Sequence, residues 1–380
     1  MREIGMVIDL VKSYSRQFLF GASRYATTHG DVAIRTLPLW SFVDTTEWQH
    51  WNVSGMIMQI FDQEMLECAR KLQVPVVNVT GTMQDTGFPT VRIDYAKCAR
   101  MAVEYFIDHG FHHMAYFGSD SYNSVETEAA FLSLTREAGV TGHAFDCALR
   151  DIWKDSGRAA IGEWLCQLPK PVAVLAVNDE IAAILLDICS AFGVSVPEQA
   201  AILGCWDDEL YYRRTWPPLS SIVIDGERIG FEAVKTIVQI LDGEAVPPVQ
   251  LIPPVSIVTR MSTDIMAIND KEIAEAVRFI RQNARRGVTV DDVASQFPFS
   301  RRVFERRFRA AMGRSPMEEI VRAKLDLAKQ LLVETDLQMP AIAERCGFSS
   351  ATHFGVVFHR NLDITPTEYR REHSGRLTQN

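Results

Sequence analysis

Along the first two-thirds of the chain, short apolar, β-branched runs alternate with longer stretches whose apolar positions recur at helical spacing. The runs at residues 4–10, 32–37, 55–60, 74–79, 113–117, 172–177 and 201–204 read as strands. Helices are expected between them, at 16–29, 64–72, 96–109, 127–138, 161–167, 180–192 and 230–241. Continuous apolarity, as in Val172-Ala-Val-Leu-Ala-Val177, marks strands buried on both faces. Alternation of such strands with helices predicts parallel sheets covered by helices. The pattern comes in two rounds. Strands up to about Val79 are expected to make one sheet and those from about His113 a second. Two such lobes leave a cleft at the C-terminal ends of the strands, where ligands bind.

Pro247-Pro248 and Pro253-Pro254 are expected to close the α/β portion, with a linker through Thr263 to Asn269. The division predicted is 1–263 and 264–380. Beyond the linker the strand signal disappears. Helix 270–284 carries Ile273, Val277, Phe279 and Ile280 on one face. Thr289 caps a short helix with Val290, Val293 and Ala294, a turn falls at Phe297-Pro-Phe299, and Ser300 caps a helix over 301–312 that Gly313 stops. A long helix over 316–334 follows. The short-helix, turn, helix pattern then repeats at 339–346, Gly347-Phe348 and 351–360, capped by Ser349 or Ser350, before Pro366 and a last helix at 367–372. This is an all-α domain with two helix-turn-helix units.

Charge sharpens the division. The 380 residues sum to a net charge of -9. From Ile268 onward there are 19 Lys and Arg against 15 Asp and Glu, net +4, which leaves -13 for the rest. One end is suited to a polyanion and the other is not. The helix after Ser300 carries Arg301, Arg302, Arg306, Arg307 and Arg309 around Phe304 and Phe308. Arginine suits bidentate contact with guanine and phosphate clamping, whereas the plainer reading is a solvated basic face. A connecting helix of about 18 residues spans about 27 Å, near the ~34 Å of one DNA turn, so both second helices could enter successive major grooves.

Seven cysteines, none in a C-x-x-C pair, predict buried free thiols in a reducing cytosol and no metal site. The opening apolar run is short, contains Asp9 and reads as a strand, not a signal peptide. No run reaches the ~18 residues of a membrane span. The expectation is a cytoplasmic protein with no membrane partner. No G-x-S-x-G, P-loop, G-x-G-x-x-G or H-E-x-x-H motif supports an enzyme. His112-His113 and Asp207-Asp208-Glu209 could suggest a metal but read more simply as surface and strand-end groups.

Polar and aromatic residues gather at the strand ends: Asp9 with Tyr14 and Arg16, Asp94 with Tyr95, Asn178 with Asp179, Asp207 with Asp208, and Asp225. Carboxylates and amides pair with vicinal hydroxyls, and an aromatic covers the C–H face of a sugar ring. Alternatively, Asp94, Asp179 and Asp225 cap the helices they precede. The stretches 91–118, 173–182, 201–208 and 219–225 together resemble the lactose/galactose-repressor family's sugar-binding domain over roughly residues 4–260. That resemblance implies a two-lobed α/β periplasmic-binding-protein-like fold with sugar contacts at Asp94, Trp153, Asn178 and Asp225. Asp9, Tyr14 and Arg16 join them as candidates from the first strand end. Two departures stand out: Cys98 takes the place of a usual glycine, and Thr127 that of a frequent arginine. Repressors of that family begin with their own DNA-binding module. Here the chain opens almost at the first strand, so a DNA function is expected elsewhere.

The segment 270–372 resembles the arabinose-regulator (AraC) family's DNA-binding domain. The carrying stretches are 323–336 and 342–349, with Phe354, Phe358 and Thr365-Pro-Thr-Glu-Tyr-Arg370. The resemblance implies base contacts from Arg302, Glu305 and Arg306 in the first unit and from Ala351, Thr352 and Val356 in the second. Ser300, Arg301, Ser350 and Arg360 are expected beside them. Many members carry arginine at the place of Val356, so the first helix is expected to do most of the sequence reading.

A sugar domain without its own DNA module, joined to an AraC-type domain, resembles the bacterial xylose-operon regulators, as do the stretches 12–17 and 251–264. The resemblance implies a homodimeric activator that binds operator DNA and RNA polymerase, needs no cofactor, and answers to a sugar, with D-xylose the first choice. Sugar would close the lobes, alter a dimer interface and re-space the DNA-binding domains. A repressor, or a sensor of another pentose, hexose or polyol, would carry much the same residues. A sugar-modifying enzyme and a sugar-binding scaffold that recruits a protein are the alternatives from other classes.

Overall fold

The computed structural model describes residues 1–38, 52–265, 267 and 270–373. The chain divides into two compact units: Met1–Phe106 with His112–Ile265, and Ile107–Phe111 with Met266–Asn380. Met266, Ile268 and Asn269 of the expected linker lie outside the described residues.

The first unit opens with β1 (Arg2–Ile8), α1 (Ser13–His29), β2 (Val32–Pro38), β3 (Gly55–Met58), α2 (Gln63–Lys71), β4 (Val76–Asn78), β5 (Thr90–Ile93) and α3 (Tyr95–Asp108). It continues with β6 (His113–Gly118), α4 (Tyr122–Glu137), β7 (Thr141–Asp146), α5 (Leu149–Ile152), α6 (Asp155–Gln167), β8 (Val172–Ala176) and α7 (Asp179–Ala191). It closes with β9 (Ala200–Cys205), α8 (Glu209–Arg214), β10 (Ser220–Ile224), α9 (Gly226–Leu241), β11 (Val249–Ile252) and β12 (Pro254–Val258).

Two six-stranded sheets result, ordered β11-β5-β4-β3-β1-β2 and β12-β10-β9-β8-β6-β7. Among the described residues all pairings are parallel except that of β12 with β10. Every residue of β8 and β9 is buried, as their unbroken apolarity requires. The first lobe packs Val7, Met56 and Met58 against Met65 and Leu66 of α2. The second packs Phe117, Val174 and Ile202 against Ile184 and Leu185 of α7.

The sheets divide at His113 as expected, with one exception. The chain returns late to the first lobe: α9 lies along α1, and β11 pairs with β5. Glycines permit that helix contact, since a Cβ at Gly21 would fall 1.8 Å from the Glu227 carbonyl oxygen and one at Gly230 1.9 Å from that of Phe18. The proline pairs, by contrast, do not end the α/β portion. They flank β11 and β12, which are edge strands, where a missing N–H is tolerated. Pro248 still accepts a bond from the Thr90 N–H at 2.9 Å. The strand β7 lacks an apolar run because it is a half-exposed edge.

The second unit holds α10 (Lys271–Asn283), a 3-10 turn at Ala284–Arg286, α11 (Val290–Ala294), α12 (Arg301–Met312), α13 (Pro316–Glu334), α14 (Met339–Arg345), α15 (Ala351–Leu362) and α16 (Pro366–His373). It has two small cores. Ile273, Val277, Ile280, Val293, Phe304 and Phe308 form one; Leu325, Ala328, Leu332, Ile342, Phe354 and Phe358 form the other. The halves repeat: Ser300, Phe304, Phe308, Pro316 and Glu318 recur 50 residues on as Ser350, Phe354, Phe358, Pro366 and Glu368. Thr289 and Ser315 each close a capping box, with Asp292 and Glu318. Gly347 seats one half on the other. Its φ is +69°, and a Cβ there would lie 2.8 Å from the Ala284 carbonyl oxygen. Glu319, 1% exposed, lies 3.2 Å from Arg281 and 2.7 Å from Arg314.

Candidate functional site

In the first unit a cavity of about 200 Å³ lies between the lobes. Its lining includes Lys12, Tyr14, Gln59, Thr80 and Tyr95 from one side and Ser119, Asn123, Asn178, Trp206 and Asp208 from the other. These residues sit at strand ends and first helical turns, as the parallel-sheet geometry dictates. The Tyr14 ring stands 4.3 Å from that of Trp206, centroid to centroid, and so closes the space with aromatic surface from both lobes. Burial pushes the Tyr14 phenol up to about 12, which keeps it a proton donor.

The polar groups are held in place by the backbone. Asn178 caps α7, its Oδ1 accepting from the Ile181 N–H at 2.9 Å. Gln59 is fully buried and accepts from the Asp9 N–H at 2.6 Å. Asp179 Oδ1 accepts from the Ser221 hydroxyl at 2.6 Å, and its Oδ2 from the Asp208 N–H at 2.7 Å. Burial pushes the Asp179 carboxyl up to about 8, with Asp207 and Asp208 pushing the same way and these two hydrogen bonds pulling it down. Burial thus favours the protonated form of Asp179. Lys12 meets Glu180 at 2.6 Å. Asp208 caps α8 through the Leu210 N–H at 3.0 Å. The lining thus offers hydroxyls, amides and an aromatic wall, with Lys12 already paired.

Of the candidates named from sequence, Tyr14 and Asn178 line the cavity. Asp94 and Asp225 are not among the lining residues and cap α3 and α9, accepting from the N–H groups of Lys97 at 3.0 Å and Arg228 at 2.8 Å. Asp9 accepts from the Val11 N–H at 3.1 Å. Arg16 donates to the carbonyls of Leu10 and Val11. Trp153 is 62% exposed at the end of α5. The two departures are absorbed locally: Thr127 donates to the Asn123 carbonyl at 2.6 Å, and the buried Cys98 thiol hydrogen-bonds with Cys205. Trp206, Lys12 and Glu180 were not singled out. Trp206 lay within the quoted stretch 201–208, but only the lobe-to-lobe approach of Tyr14 gives it a role.

In the second unit the faces of α12 separate by partner. Arg307 is bound inward, 2.7 Å from Asp270 and 2.6 Å from Glu272, with its guanidinium over Phe299. Arg301 is tied to Glu305 and Asp291, both at 2.8 Å. Arg302, Arg306 and Arg309 are exposed along one stripe and border a shallow groove with Glu305. Ser300 takes the N-cap position without a side-chain bond, whereas Ser350 caps α15 by accepting from the His353 N–H at 3.1 Å. The matching face of α15 presents Thr352, Val356 (62% exposed) and Arg360, with Ala351 half-buried at its start. One helix offers cationic forks and the other mostly a neutral surface, within a connected pair of helix-turn-helix units.

A ligand-binding α/β unit joined to a double helix-turn-helix unit defines a ligand-responsive, DNA-binding transcription regulator. The chain matches the periplasmic binding protein-like domain over residues 103–263 and the helix-turn-helix domain over 293–372. It is 28% identical over 382 residues to the xylose operon regulatory protein of Escherichia coli (strain K12), covering 97% of this chain and 96% of that protein. The solved structure of a xylose-binding transcription activator is similar with a TM-score of 0.62 and 26% identity, covering 98% of both chains. A LacI transcriptional regulator from a Rhodococcus species shares the fold of the first unit, with a TM-score of 0.57, 22% identity, and coverage of 70% of this chain and 99% of that one. The chain is an AraC-type transcription regulator with a LacI-like ligand-binding domain, of the same build as the xylose operon regulatory proteins.

Among the described residues no helix is long and apolar enough to cross a membrane, and no cluster of His, Cys, Asp or Glu is arranged to hold a metal ion.

Proposed function

We propose that the chain is a sugar-responsive activator of a pentose-utilisation operon, with D-xylose as the ligand between its lobes. The observation that carries this is the cavity lining. Tyr14 and Trp206 offer aromatic faces, Asn178 and Asn123 amides, and Ser119 a hydroxyl, while Lys12 is paired with Glu180 and Asp179 is held by Ser221 and the Asp208 N–H. Such a lining suits a small neutral polyol better than an anion. The regulators of xylose operons to which the chain is similar over nearly its whole length point the same way.

In this reading Tyr14 and Asn178 touch the sugar. Asp94 and Asp225 hold the first turns of α3 and α9 beside it, and Asp9, Arg16 and Trp153 shape the rim. Sugar favours the closed lobes, and a homodimer carries the change to DNA, since a ligand shifts only an equilibrium whose two states it binds unequally. Arg302, Glu305 and Arg306 read bases in one major groove. Ala351, Thr352 and Val356 approach the next, with Ser300, Arg301, Ser350 and Arg360 toward phosphates. The activator works in the cytoplasm, meets RNA polymerase at the promoter, and turns over no substrate.

Thermal melting of the chain against a panel of pentoses and hexoses tests this. D-Xylose at 100 times its dissociation constant adds about 2.7 kcal/mol of stability. A shift with phosphorylated or acidic sugars alone would overturn it, as would DNA retention that does not weaken as salt rises.

A further inference from the structure

The backbone at the end of β9 is held in a conformation that side chains rarely adopt. Trp206 has φ 105° and Asp207 φ 51°, and neither is glycine. Such positions persist only where the surroundings over-determine them, and they gather at ligand clamps. The turn has a visible purpose, because it delivers the Trp206 ring to the cavity and onto Tyr14 of the other lobe.

Four grips hold it. The Trp206 N–H donates to the Ile222 carbonyl at 2.8 Å, the Asp207 N–H to the Ser221 hydroxyl at 3.0 Å, and the Asp208 N–H to Asp179 at 2.7 Å. The fourth is an ion pair of Asp207 with Arg260 Nη2, at 2.7 Å. Arg260 is itself immobilised. Its N–H donates to the Ser220 hydroxyl and its Nη1 to the Leu219 carbonyl, both at 2.8 Å, and its guanidinium lies 3.8 Å from the centre of the Tyr212 ring. Only 19% of the Arg260 side chain and 23% of that of Asp207 is exposed, so solvent screens the pair weakly. A planar fork stacked on a ring and bonded on two edges is a geometry that lysine cannot copy.

We propose that Arg260 is a positioning residue for the ligand: by clamping Asp207 in its left-handed conformation it keeps Trp206 in the wall of the sugar cavity. The ligand part rests on the proposed function; the clamp itself does not.

Two substitutions at Asp207 separate a clamp from a general structural role. Asp207→Ala and Asp207→Gly both cut the ion pair, but only glycine adopts positive φ without restraint. In the full chain, calorimetric titration with D-xylose should show affinity about tenfold weaker for Asp207→Ala and Arg260→Met, and within about twofold of the unmodified chain for Asp207→Gly. Arg260→Lys should fall between. Adding Asp207→Gly to Arg260→Met should restore binding. Equal losses in the alanine and glycine variants, or unchanged binding by Arg260→Met, would overturn the proposal.

Hydrogen exchange of the Trp206–Asp208 amides in the sugar-free chain gives a second readout. It should quicken in Asp207→Ala and Arg260→Met and stay slow in Asp207→Gly; the same rate in all three would equally overturn the clamp. If the unmodified chain binds no neutral sugar, the sugar reading fails and the exchange rates still decide about Arg260.

Discussion

The Lys12 ammonium lies 2.6 Å from the Glu180 carboxylate, and the two groups come from opposite lobes. Lys12 precedes α1 of the first lobe and Glu180 stands in the first turn of α7 of the second. Both side chains are about one-third exposed, so the pair is partly screened and closes the cleft without locking it.

Cutting this pair should loosen ligand binding without dismantling either lobe. Lys12→Met and Glu180→Gln are each expected to lose up to about 1 kcal/mol of closed-state preference, about a fivefold weaker sugar affinity. The double substitution should lose little more than either single one. Titration calorimetry of the three variants checks this, and strictly additive losses would mean that the two side chains act separately.

The stripe on α12 should govern DNA affinity. Arg302→Ala and Arg306→Ala are each expected to weaken binding of an operator fragment by about 1–3 kcal/mol. Thr352→Ala on the matching face of α15 should cost less. Arg307→Ala should instead lower the melting temperature of the chain, because its guanidinium joins Asp270, Glu272 and Phe299. Fluorescence anisotropy with labelled DNA, beside thermal melts, separates the two kinds of arginine.

Asp179 makes the ligand-binding unit sensitive to pH. Its carboxyl is pushed up to about 8 by burial, while an unfolded chain titrates near 3.8. Between these values the folded chain holds a proton that the unfolded chain releases. This contribution is fully present below about pH 4 and is lost as pH rises to about 8, at most about 1.4 kcal/mol per pH unit. Asp179→Asn should flatten the fall in melting temperature between pH 5 and pH 8. A slope unchanged by the substitution would assign it to another group.

Much of this molecule was open to reading from its residues. Unbroken runs such as 172–177 marked buried parallel strands, and Thr289, Gly313 and the paired phenylalanines 304/308 and 354/358 marked the two helix-turn-helix units. Strands β5, β7, β10, β11 and β12 escaped that reading; of these β7, β11 and β12 are sheet edges, and an edge needs neither two apolar faces nor a full set of donors. The cleft was legible as a place more than as a set of contacts. Asp94 and Asp225 stand at strand ends just as Asn178 does, yet they cap helices outside the lining while Asn178 both caps and lines.

The amino-acid sequence by itself determined most of the strands and helices, that an acidic α/β portion precedes a basic helical one, and that the second helix of the first repeat is rich in arginine. Those features follow from periodicity, caps and composition, which act over a few residues. Only the tertiary structure decided that β11 returns to the first sheet, that Lys12 reaches Glu180 and Tyr14 reaches Trp206 across the cleft, and that Arg307 turns inward while Arg306 stays exposed. Each of these depends on residues far apart in the chain meeting in space, and no local pattern of apolar and polar positions encodes the meeting.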